Sequence, residues 1–501
     1  MSALVRNAVA LSVAAAAFTL AVLRPSGDPD MWWHLASGRW MVEHRDILRV
    51  DVFSSTATGD PYAVGGWLGE IVMYAAFAVA SWPGLAVLRA VLLALAALSL
   101  TRVALRSAPP TLAVPLVALA VVLSWPTWTD GPELFTLALF AGSLDLLFAA
   151  RAGARAALAA LVALLLVWSD LDVGYALGLA LLWLFAIAAL LERRNPAAFA
   201  IAAAAAAALL GANPGALPLL RAIPRVVEGS PSDALTSFGA LFAIFVGAAL
   251  LLFLCRGGSL LAALVLVPLL WLALLSQRQI HLFGFAAVAF ISEPLAAQVT
   301  TWKAPWTAWR RAATGDRASP AVADASSKGG LTLALRGTAR SDAGPPASSE
   351  RARPPTPGRT RRRSLPGVAL AIALWLGALA SVITAPAAPD QSAYPVGVED
   401  ALRSSSGVLL NELDWGGWLI WNVPQRYVFV DGRLYPFVAN DALGSYRDAI
   451  HLLPRWRSVI TRWNVSQALL RPERPLVEAL REEGWTVRSA GEGYVLLERP
   501  R

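Results

Sequence analysis

The chain has 501 residues, of which 57% are hydrophobic and only 15% are charged, and its mean hydropathy is +0.56. Soluble domains carry about 25% charged residues and about half apolar ones or fewer, so this composition excludes a soluble protein and indicates a polytopic membrane protein. The single cysteine, Cys255, excludes an intrachain disulfide.

The net charge of +8 belongs to one segment. Residues 298–366 hold thirteen Lys and Arg against four Asp and Glu, so this segment carries +9 and the rest of the chain about −1. The segment is rich in Ala, Ser, Pro and Gly and has little apolar periodicity, which predicts a disordered basic linker. A solvated basic loop near anionic lipid accounts for the charge, and no nucleic-acid partner is expected.

Twelve apolar segments follow one another along the chain. They lie at 7–23, 67–82, 84–105, 111–127, 132–150, 156–170, 173–191, 196–212, 235–255, 259–275, 279–297 and 367–385. Residues 7–23 lack a small-x-small cleavage site and are followed by further apolar segments. We therefore interpret them as a retained first span and not as a signal peptide.

The arginines between the segments predict the topology. If all twelve segments cross the membrane, the Arg-rich short loops fall outside, against the positive-inside rule. Segment 67–82 is short, contains Glu70 and ends before Pro83, so we predict an interfacial or re-entrant helix there and about eleven spans. The Arg-rich loops then become cytoplasmic. The predicted organisation is a membrane domain 1–297 with a first outer loop 24–82, a cytoplasmic linker 298–366, a last transmembrane helix 367–385 and an extracytoplasmic domain 386–501.

The last segment, 386–501, alternates strand and helix patterns. GVLLNEL, RYVFVDG, VSQALLR, WTVRSA and YVLLER predict strands, and NDALGSYRDAIHLL, PRWRSVITRW and RPLVEALREEG predict helices. Such alternation indicates a small α/β domain. The predicted fold class is therefore mainly α, a polytopic helical membrane protein with a small C-terminal α/β extracytoplasmic domain.

The first outer loop carries the strongest candidate site. Asp28 and Asp30 flank Pro29, which holds the backbone extended, so the two carboxylates can approach one point. Such a pair can bind a divalent cation, or one member can act as a general base. Trp32 and Trp33 follow, placed to stack on a sugar or to lie at the lipid interface. A simple Asp-Pro turn with interfacial tryptophans is the structural alternative.

Further polar groups fall on the predicted outer side: His34, Glu70, Asp170, Asp172, Arg278, His281, Asp431 and Arg433. Asp170 and Asp172 either line a cavity or cap the following helix. Arg278, three residues from His281 on a predicted helix, suits a phosphate leaving group or else snorkels at a span end. Asp431 and Arg433 either face the membrane site or form a structural turn with an internal ion pair.

Several of these stretches together resemble a known group. DPDMWWHLASGRWMVEH, VDVFSSTATGDPY and GGWLGE resemble the first outer loop of uncharacterised bacterial polytopic membrane proteins that are similar to the GT-C glycosyltransferase superfamily. The resemblance continues in PELFTLALF, WSDLDVGYALGLALL, GANPGALPLL, DWGGWLIW and YVFVDGRLY and covers most of the chain except 298–366. The chain departs from the group's pattern at Gly65-Gly66, Gly131-Pro132 and Asp170-Leu171-Asp172.

The resemblance implies a function. GT-C enzymes use a polyprenyl-phosphate-linked sugar and place acidic residues of the first outer loop at the active site, which implies that role for Asp28 or Asp30. The hypothesis adds Arg278 as the group that stabilises the departing phosphate, Trp32 and Trp33 beside the sugar, and a divalent metal on Asp28 and Asp30 as a cofactor. His34, Glu70 and the other outer polar groups are assigned to substrate binding.

The partners expected are the polyprenyl-phosphate-linked sugar, membrane lipids and an acceptor that is a glycan, a lipid or a protein. The expected location is the bacterial inner membrane, with transfer at its outer face. Two alternatives stay open. One is a non-catalytic lipid or glycan transporter or envelope assembly factor, and the other is a scaffold whose C-terminal domain binds a partner.

Overall fold

The computed structural model describes residues 2–62, 66–212, 259–275, 279–313, 365–434, 436–437 and 440–500. They belong to two compact units, one formed by 1–296 with 367–501 and the other by 297–366. Helix accounts for 67% of the structure, which confirms the prediction of a mainly helical chain. The predictions for 213–258, for Arg278 and for 314–364 of the linker lie outside the described residues.

The membrane part is a series of apolar helices that coincide with the predicted apolar segments. Numbered over the described residues, they are α1 (Ala3–Val22), α3 (Trp67–Ala104), α4 (Pro110–Leu123), α5 (Glu133–Arg151), α6 (Ala156–Leu171), α7 (Tyr175–Leu191), α8 (Ala197–Ala212), α9 (Leu260–Leu275), α10 (Ile280–Ala313) and α11 (Leu365–Ser381). In this described part, five stretches are long and apolar enough to cross a bilayer, and five helices are shorter. The number of spans therefore stays a prediction.

Helix α3 joins two predicted segments across a break. Ala80 and Ser81 leave the helical region, Ser81 with φ of +54°, and Pro83 follows. Proline has no N–H for the helical ladder and its ring clashes with the preceding turn. The break separates the part that begins at Trp67 from the apolar helix after it, as an interfacial helix would require, and the interfacial position itself stays a prediction.

A helix inside the first outer loop was not predicted. Helix α2 runs over Met31–His44 and ends at Arg45, which adopts the left-handed conformation with φ of +53°. Trp32 and Leu35 on its buried face pack into the main apolar core. Helix α2 contacts both α3 and the C-terminal domain, so it lies packed between them.

The C-terminal domain contains one four-stranded sheet: β1 (Val408–Asn411), β2 (Val465–Leu470), β3 (Thr486–Gly491) and β4 (Tyr494–Glu498). The strand order is β1-β2-β4-β3, with β1 parallel to β2 and the other pairs antiparallel. Its helices are α12 (Glu399–Arg403), α13 (Gly416–Asn422), α14 (Ala442–Ile450), α15 (Trp456–Arg462) and α16 (Pro475–Glu482). The predicted combination of a small sheet with helices is present, and these residues belong to the same compact unit as 1–296.

Three local predictions need correction. RYVFVDG is not a strand of the sheet, since Val428 instead forms an isolated parallel bridge with Ser54 of the first outer loop. The glycines of DWGGW permit a tight turn after a strand, which the sequence predicts there, but in the structure they begin helix α13. Helix α10 continues to Ala313, past residue 298, where the linker was predicted to start.

Candidate functional site

Asp28 and Asp30 lie on a turn that leads into α2. Asp28 Oδ1 accepts the backbone N–H of Asp30 at 2.8 Å, and Asp30 Oδ1 accepts the indole N–H of Trp33 at 3.1 Å. An aspartate that accepts the backbone N–H two residues ahead forms an Asx-turn. Both carboxylates stand at the N-terminus of a helix, where the helix dipole favours negative charge. Local hydrogen bonds therefore fix the side chains of the two predicted catalytic residues at the start of α2.

The C-terminal domain packs directly on this turn through two glycines. A Cβ added to Gly432 would lie 1.9 Å from Asp30 Oδ1 and 3.1 Å from Trp33 Nε1. One added to Gly417 would lie 3.0 Å from the carbonyl oxygen of Pro29. Glycine at both positions allows this close approach without a shift of the neighbouring atoms. The DWGGW and VDGR motifs therefore form one wall with the first outer loop, although some 400 residues separate them in the chain.

A buried ion cluster joins the C-terminal domain to the first outer loop. Arg433 Nε and Nη2 donate to the two oxygens of Asp431 at 2.8 and 2.6 Å, and Nη1 donates to Asp51 of the first outer loop at 2.5 Å. All three side chains are completely buried. Burial disfavours the Arg433 charge, but Asp431 and Asp51 together raise the pKa of this guanidinium above its usual value. The ion pair is the one foreseen in the structural alternative, and substrate binding by Asp431 and Arg433 stays a prediction.

His34 and Glu70 form a second buried contact. His34 Nδ1 lies 3.0 Å from Glu70 Oε1, and both side chains are nearly inaccessible. The second ring nitrogen lies near Gly131, whose added Cβ would lie 3.6 Å from His34 Nε2 and 2.2 Å from Glu133 Oε2. Glu70 thus orients the imidazole, and the absence of a side chain at Gly131 leaves room for the Glu133 carboxylate next to residue 131.

Glu133 was not among the predicted site residues. It is the first residue of α5, and its acidic neighbours within electrostatic range are Asp172, Asp28 and Asp30. A carboxylate at the start of an apolar helix is itself a signal of function, and that signal was available in the sequence. The structure thus adds Glu133 to the acidic groups around the Asp28–Asp30 turn.

A cavity of about 370 Å³ opens beside Asp28. Its lining residues come from the start of the first outer loop and from the segment after α4: Arg24, Pro25, Gly27, Asp28, Pro29, Pro126, Thr127, Trp128, Thr129 and Asp130. Ligand sites have volumes of about 300–1,000 Å³, so this one has room for a sugar or a phosphate group. Of the predicted catalytic residues, Asp28 lies in its wall.

An arginine missed by the sequence analysis supports that wall. Arg89 of α3 donates from Nη1 to both oxygens of Asp130, at 2.7 and 2.8 Å, and from Nε to the carbonyl of Ala21 at 3.1 Å. Arg89 is only 1% exposed, and a buried charge is tolerated when paired in this way. An arginine in the middle of an apolar stretch, away from the helix ends, was the signal that could have identified it.

Asp170 and Asp172 lie at the connection between α6 and α7. Asp172 accepts hydrogen bonds from the Thr136 hydroxyl and, at 3.0 Å, from the backbone N–H of Gly174. Burial raises the pKa of Asp172, and those two hydrogen bonds oppose the rise. Asp170 accepts the indole N–H of Trp67 at 3.1 Å. Both contacts stabilise local structure, and the substrate-binding role of the two residues stays a prediction.

The positions at which the chain departs from the resembled group lie close together. A Cβ on Gly66 would lie 2.6 Å from the carbonyl oxygen of Leu171 and 3.3 Å from Pro132 Cβ. Glycine at 66 therefore allows the start of α3 to pack against the other two departures. The three changes belong to one packing arrangement beside the acidic groups.

The two tryptophans have different surroundings. Trp32 is buried, and its ring lies edge-on to Trp82 and to Tyr394, with centroids 5.2 and 5.6 Å apart. Trp33 is half-buried and lies over the ring of His34 at 3.5 Å. Contact with a sugar stays a prediction for both, and the partly exposed Trp33 is the better placed.

Tyr394 of the C-terminal domain is a further residue that sequence reasoning missed. Burial raises its pKa to about 12, and the charges of Asp28 and Asp30 add to the rise. The phenol therefore lies near both carboxylates and remains a neutral hydroxyl at physiological pH. No local sequence pattern marks it, because its neighbours are far away in the chain.

His281 and Arg278 were predicted to share a helix face. His281 lies buried near the start of α10, with its ring 6.1 Å from that of Phe285. Arg278 lies outside the described residues, so the predicted pairing and both roles stay predictions.

The Asp28–Asp30 pair fits one kind of metal site. Within the residues that the structure describes, no three His, Cys, Asp or Glu side chains are grouped to hold a metal ion. Mg²⁺ is commonly held by one or two carboxylates together with waters and substrate phosphates. A cation on Asp28 and Asp30 would therefore be completed by the phosphate of a ligand, and not by a cage of protein side chains.

Neither a family model nor a curated protein sequence matches this chain. Its fold, in contrast, is found among solved structures. The oligosaccharyltransferase of Archaeoglobus fulgidus in the apo form is 13% identical, with a TM-score of 0.54, over 92% of this chain and 69% of that one.

The Archaeoglobus fulgidus oligosaccharyltransferase AglB in complex with an inhibitory peptide and a dolichol-phosphate is 11% identical. Its TM-score is 0.51, over 92% of this chain and 69% of that one. At such identities the likeness shows the fold alone. This chain thus has the fold of these two oligosaccharyltransferase structures.

Proposed function

We propose that this chain is a GT-C-like membrane glycosyltransferase that moves a sugar from a polyprenyl-phosphate donor to an acceptor hydroxyl at the outer face of a bacterial inner membrane. The observation that carries the proposal is the Asp28–Asp30 turn. It places two carboxylates at a helix N-terminus, one of them in the wall of a 370 Å³ cavity. Gly432 of the C-terminal domain packs against the other carboxylate, that of Asp30.

The comparison supports a lipid-linked donor. The related fold of AglB occurs in complex with a dolichol-phosphate, a polyprenyl phosphate. The oligosaccharyltransferases named in the comparison transfer glycans, and the fold similarity extends over 92% of this chain. The specific polyprenyl-phosphate sugar and the acceptor are part of the proposal.

The proposed chemistry balances as a single displacement. Asp28 or Asp30 accepts the proton of the acceptor hydroxyl, whose oxygen attacks the anomeric carbon. The bond from that carbon to the phosphate oxygen breaks, and the phosphate departs with the electron pair, so the configuration is inverted. Arg278 stabilises the leaving phosphate in this scheme. A divalent cation on Asp28 and Asp30, when bound, would supply further charge for the phosphate oxygens.

The experiment replaces each carboxylate by its amide. Purified full-length protein in nanodiscs is given undecaprenyl-phosphate hexoses and pentoses radiolabelled in the sugar, together with a bacterial envelope extract as the source of acceptors, and the released undecaprenyl phosphate and the transferred label are measured. Asp28→Asn, Asp30→Asn and the double variant are compared with Glu43→Gln, which removes an exposed carboxylate of α2. General-base catalysis contributes roughly 10²–10⁴-fold, so we expect the double variant to lose at least a hundredfold and Glu43→Gln to behave as wild type.

Two results would contradict the proposal. Full donor consumption by the Asp28/Asp30 double variant would remove the carboxylates from the chemistry. Binding of undecaprenyl phosphate without consumption of any donor by the wild type would favour the transporter alternative. Deleting 386–501 tests the scaffold alternative, in which the truncated chain should lose its protein partner in a pull-down and show no sugar defect in vitro.

A further inference from the structure

Arg24 occupies a distinctive place in the cavity wall. It follows the end of α1, where Val22 is the last helical residue, and it lines the cavity together with Asp28 and Asp130. Of the residues lining this cavity in the described part of the chain, Arg24 is the one cation. Any anionic group that enters the cavity therefore has this guanidinium as its attractive partner.

The positive charge of Arg24 is not balanced by a carboxylate in the way that the charge of Arg89 is. Arg89 is held by both oxygens of Asp130. The Arg24 guanidinium instead donates to the carbonyl of Trp125 and lies over the ring of Trp125 at 5.1 Å. Over the described ranges, no carboxylate comes within 4.0 Å of the Arg24 side-chain nitrogens.

The surroundings of Arg24 also favour an anion. Desolvation by burial and the nearby charge of Arg89 lower the pKa of Arg24, although the charges of Asp130 and Asp28 oppose this shift. A bound anion would stabilise the protonated guanidinium. Phosphate groups and arginine form charge-assisted hydrogen bonds that match in geometry.

An accessible apolar surface adjoins this cation. Large apolar side chains near the ends of α1 and α4 stay exposed next to Arg24: Leu20 at 50%, Leu23 at 43%, Val122 at 45% and Trp125 at 40%. The two helices contact each other. A cation beside these exposed apolar side chains suits a ligand that has a long hydrocarbon chain and one negatively charged end.

We propose that Arg24 binds the phosphate of an isoprenoid-linked donor, whose isoprenoid chain lies along the exposed side chains at the ends of α1 and α4. The inference rests on the proposed function and names the donor contact within it. The phosphate binds at Arg24, and the sugar it carries extends along the cavity toward Asp28. Asp130, already paired with Arg89, does not repel the phosphate as an unpaired carboxylate would.

The test distinguishes binding of the phosphate group from binding of the lipid chain. Purified full-length protein in phosphatidylcholine nanodiscs is titrated with undecaprenyl phosphate and with undecaprenol, which differ only in the phosphate. Arg24→Gln and Arg24→Lys are compared with Arg49→Gln, which removes an exposed arginine of the same loop. Binding of undecaprenol reports that each variant is folded.

We expect the wild type to prefer the phosphate over the alcohol by about tenfold or more, as one charge-assisted hydrogen bond implies. Arg24→Gln should remove that preference and leave alcohol binding unchanged. Arg24→Lys should keep part of it, and Arg49→Gln should keep all of it. An unchanged preference in Arg24→Gln, or an equal loss in Arg49→Gln, overturns the inference.

Two further arms identify the source of the phosphate and separate this inference from the transferase proposal. If phosphatidylglycerol in the nanodiscs abolishes the preference, the site accepts any lipid headgroup and the isoprenoid assignment fails. If Arg24→Gln loses the preference while the wild type transfers no sugar, the phosphate site stands and the transferase proposal fails. If Arg24→Gln binds normally while Asp28→Asn abolishes transfer, the transferase stands and this inference fails.

Discussion

Replacement of Gly432 by alanine tests whether the C-terminal domain positions Asp30. The added methyl group would lie 1.9 Å from Asp30 Oδ1, and contacts under 3.0 Å are essentially never found for a real Cβ. The carboxylate must therefore move by roughly 1 Å, a displacement that can cost about 10²-fold in rate. The backbone of Gly432 is not left-handed, so the clash, and not backbone strain, is what alanine introduces.

The assay is donor consumption by Gly432→Ala in nanodiscs, with the midpoint of thermal unfolding measured in parallel. Overpacking costs about 1–3 kcal/mol, so we expect a folded protein with a small loss of stability and a rate lowered about a hundredfold. Gly377→Ala is the matched control, because no atom lies within 4 Å of the Cβ it adds. A second replacement, Asp30→Ala, removes the clashing carboxylate and should restore the stability lost in Gly432→Ala.

Two results would refute this reasoning. The first is a folded Gly432→Ala protein that works at the wild-type rate, since Asp30 would then tolerate displacement. The second is a stability loss that persists in the Asp30→Ala background, since the added methyl group would then clash elsewhere.

Two other predictions concern stability. Arg433→Ala leaves Asp51 and Asp431 buried without their cation, so it should lower the free energy of unfolding in detergent by about 3–5 kcal/mol. Arg403→Ala breaks an exposed ion pair and should change it by under about 1 kcal/mol; similar losses for both would contradict the argument. Tyr394 has its pKa raised to about 12, so above pH 10 the unfolded phenol ionises while the folded one stays protonated, and stability falls as pH rises to 12. Tyr394→Phe should reduce the loss of stability between pH 10 and 12, and an unchanged loss would contradict the raised pKa of Tyr394.

Hydropathy was enough to predict most of the membrane helices, because each of these helices is apolar over nearly its whole length and so appears as one apolar segment in the sequence. The strands and helices of the C-terminal domain were predicted from strand-like and helix-like residue patterns that follow one another along 386–501. Helix α2 was missed because its sequence, rich in Trp and His, was interpreted as a loop. Its signal was present, since Met31, Trp32 and Leu35 have helical spacing after Asp28 and Asp30.

The contacts around the site were the part that the sequence did not reveal. Gly432 was noticed only as part of a turn, and its approach to Asp30 depends on a fold that brings distant segments together. Arg433 pairs with a residue of the first outer loop, and no local pattern predicts which of several aspartates it selects. RYVFVDG has strand propensity, yet Val428 pairs with Ser54, because tertiary contacts override local propensity.

The ion pair between Asp51 and Arg433 has a consequence for biosynthesis, since 382 residues separate the two. At a synthesis rate of about 5–20 residues per second, the first loop waits roughly 20–80 s before its cation emerges from the ribosome. During that interval Asp51 remains hydrated and the surface that receives the C-terminal domain is uncovered. A nascent chain therefore cannot complete this contact before its translation is nearly finished, and a chaperone that shields the loop would find its target in this period.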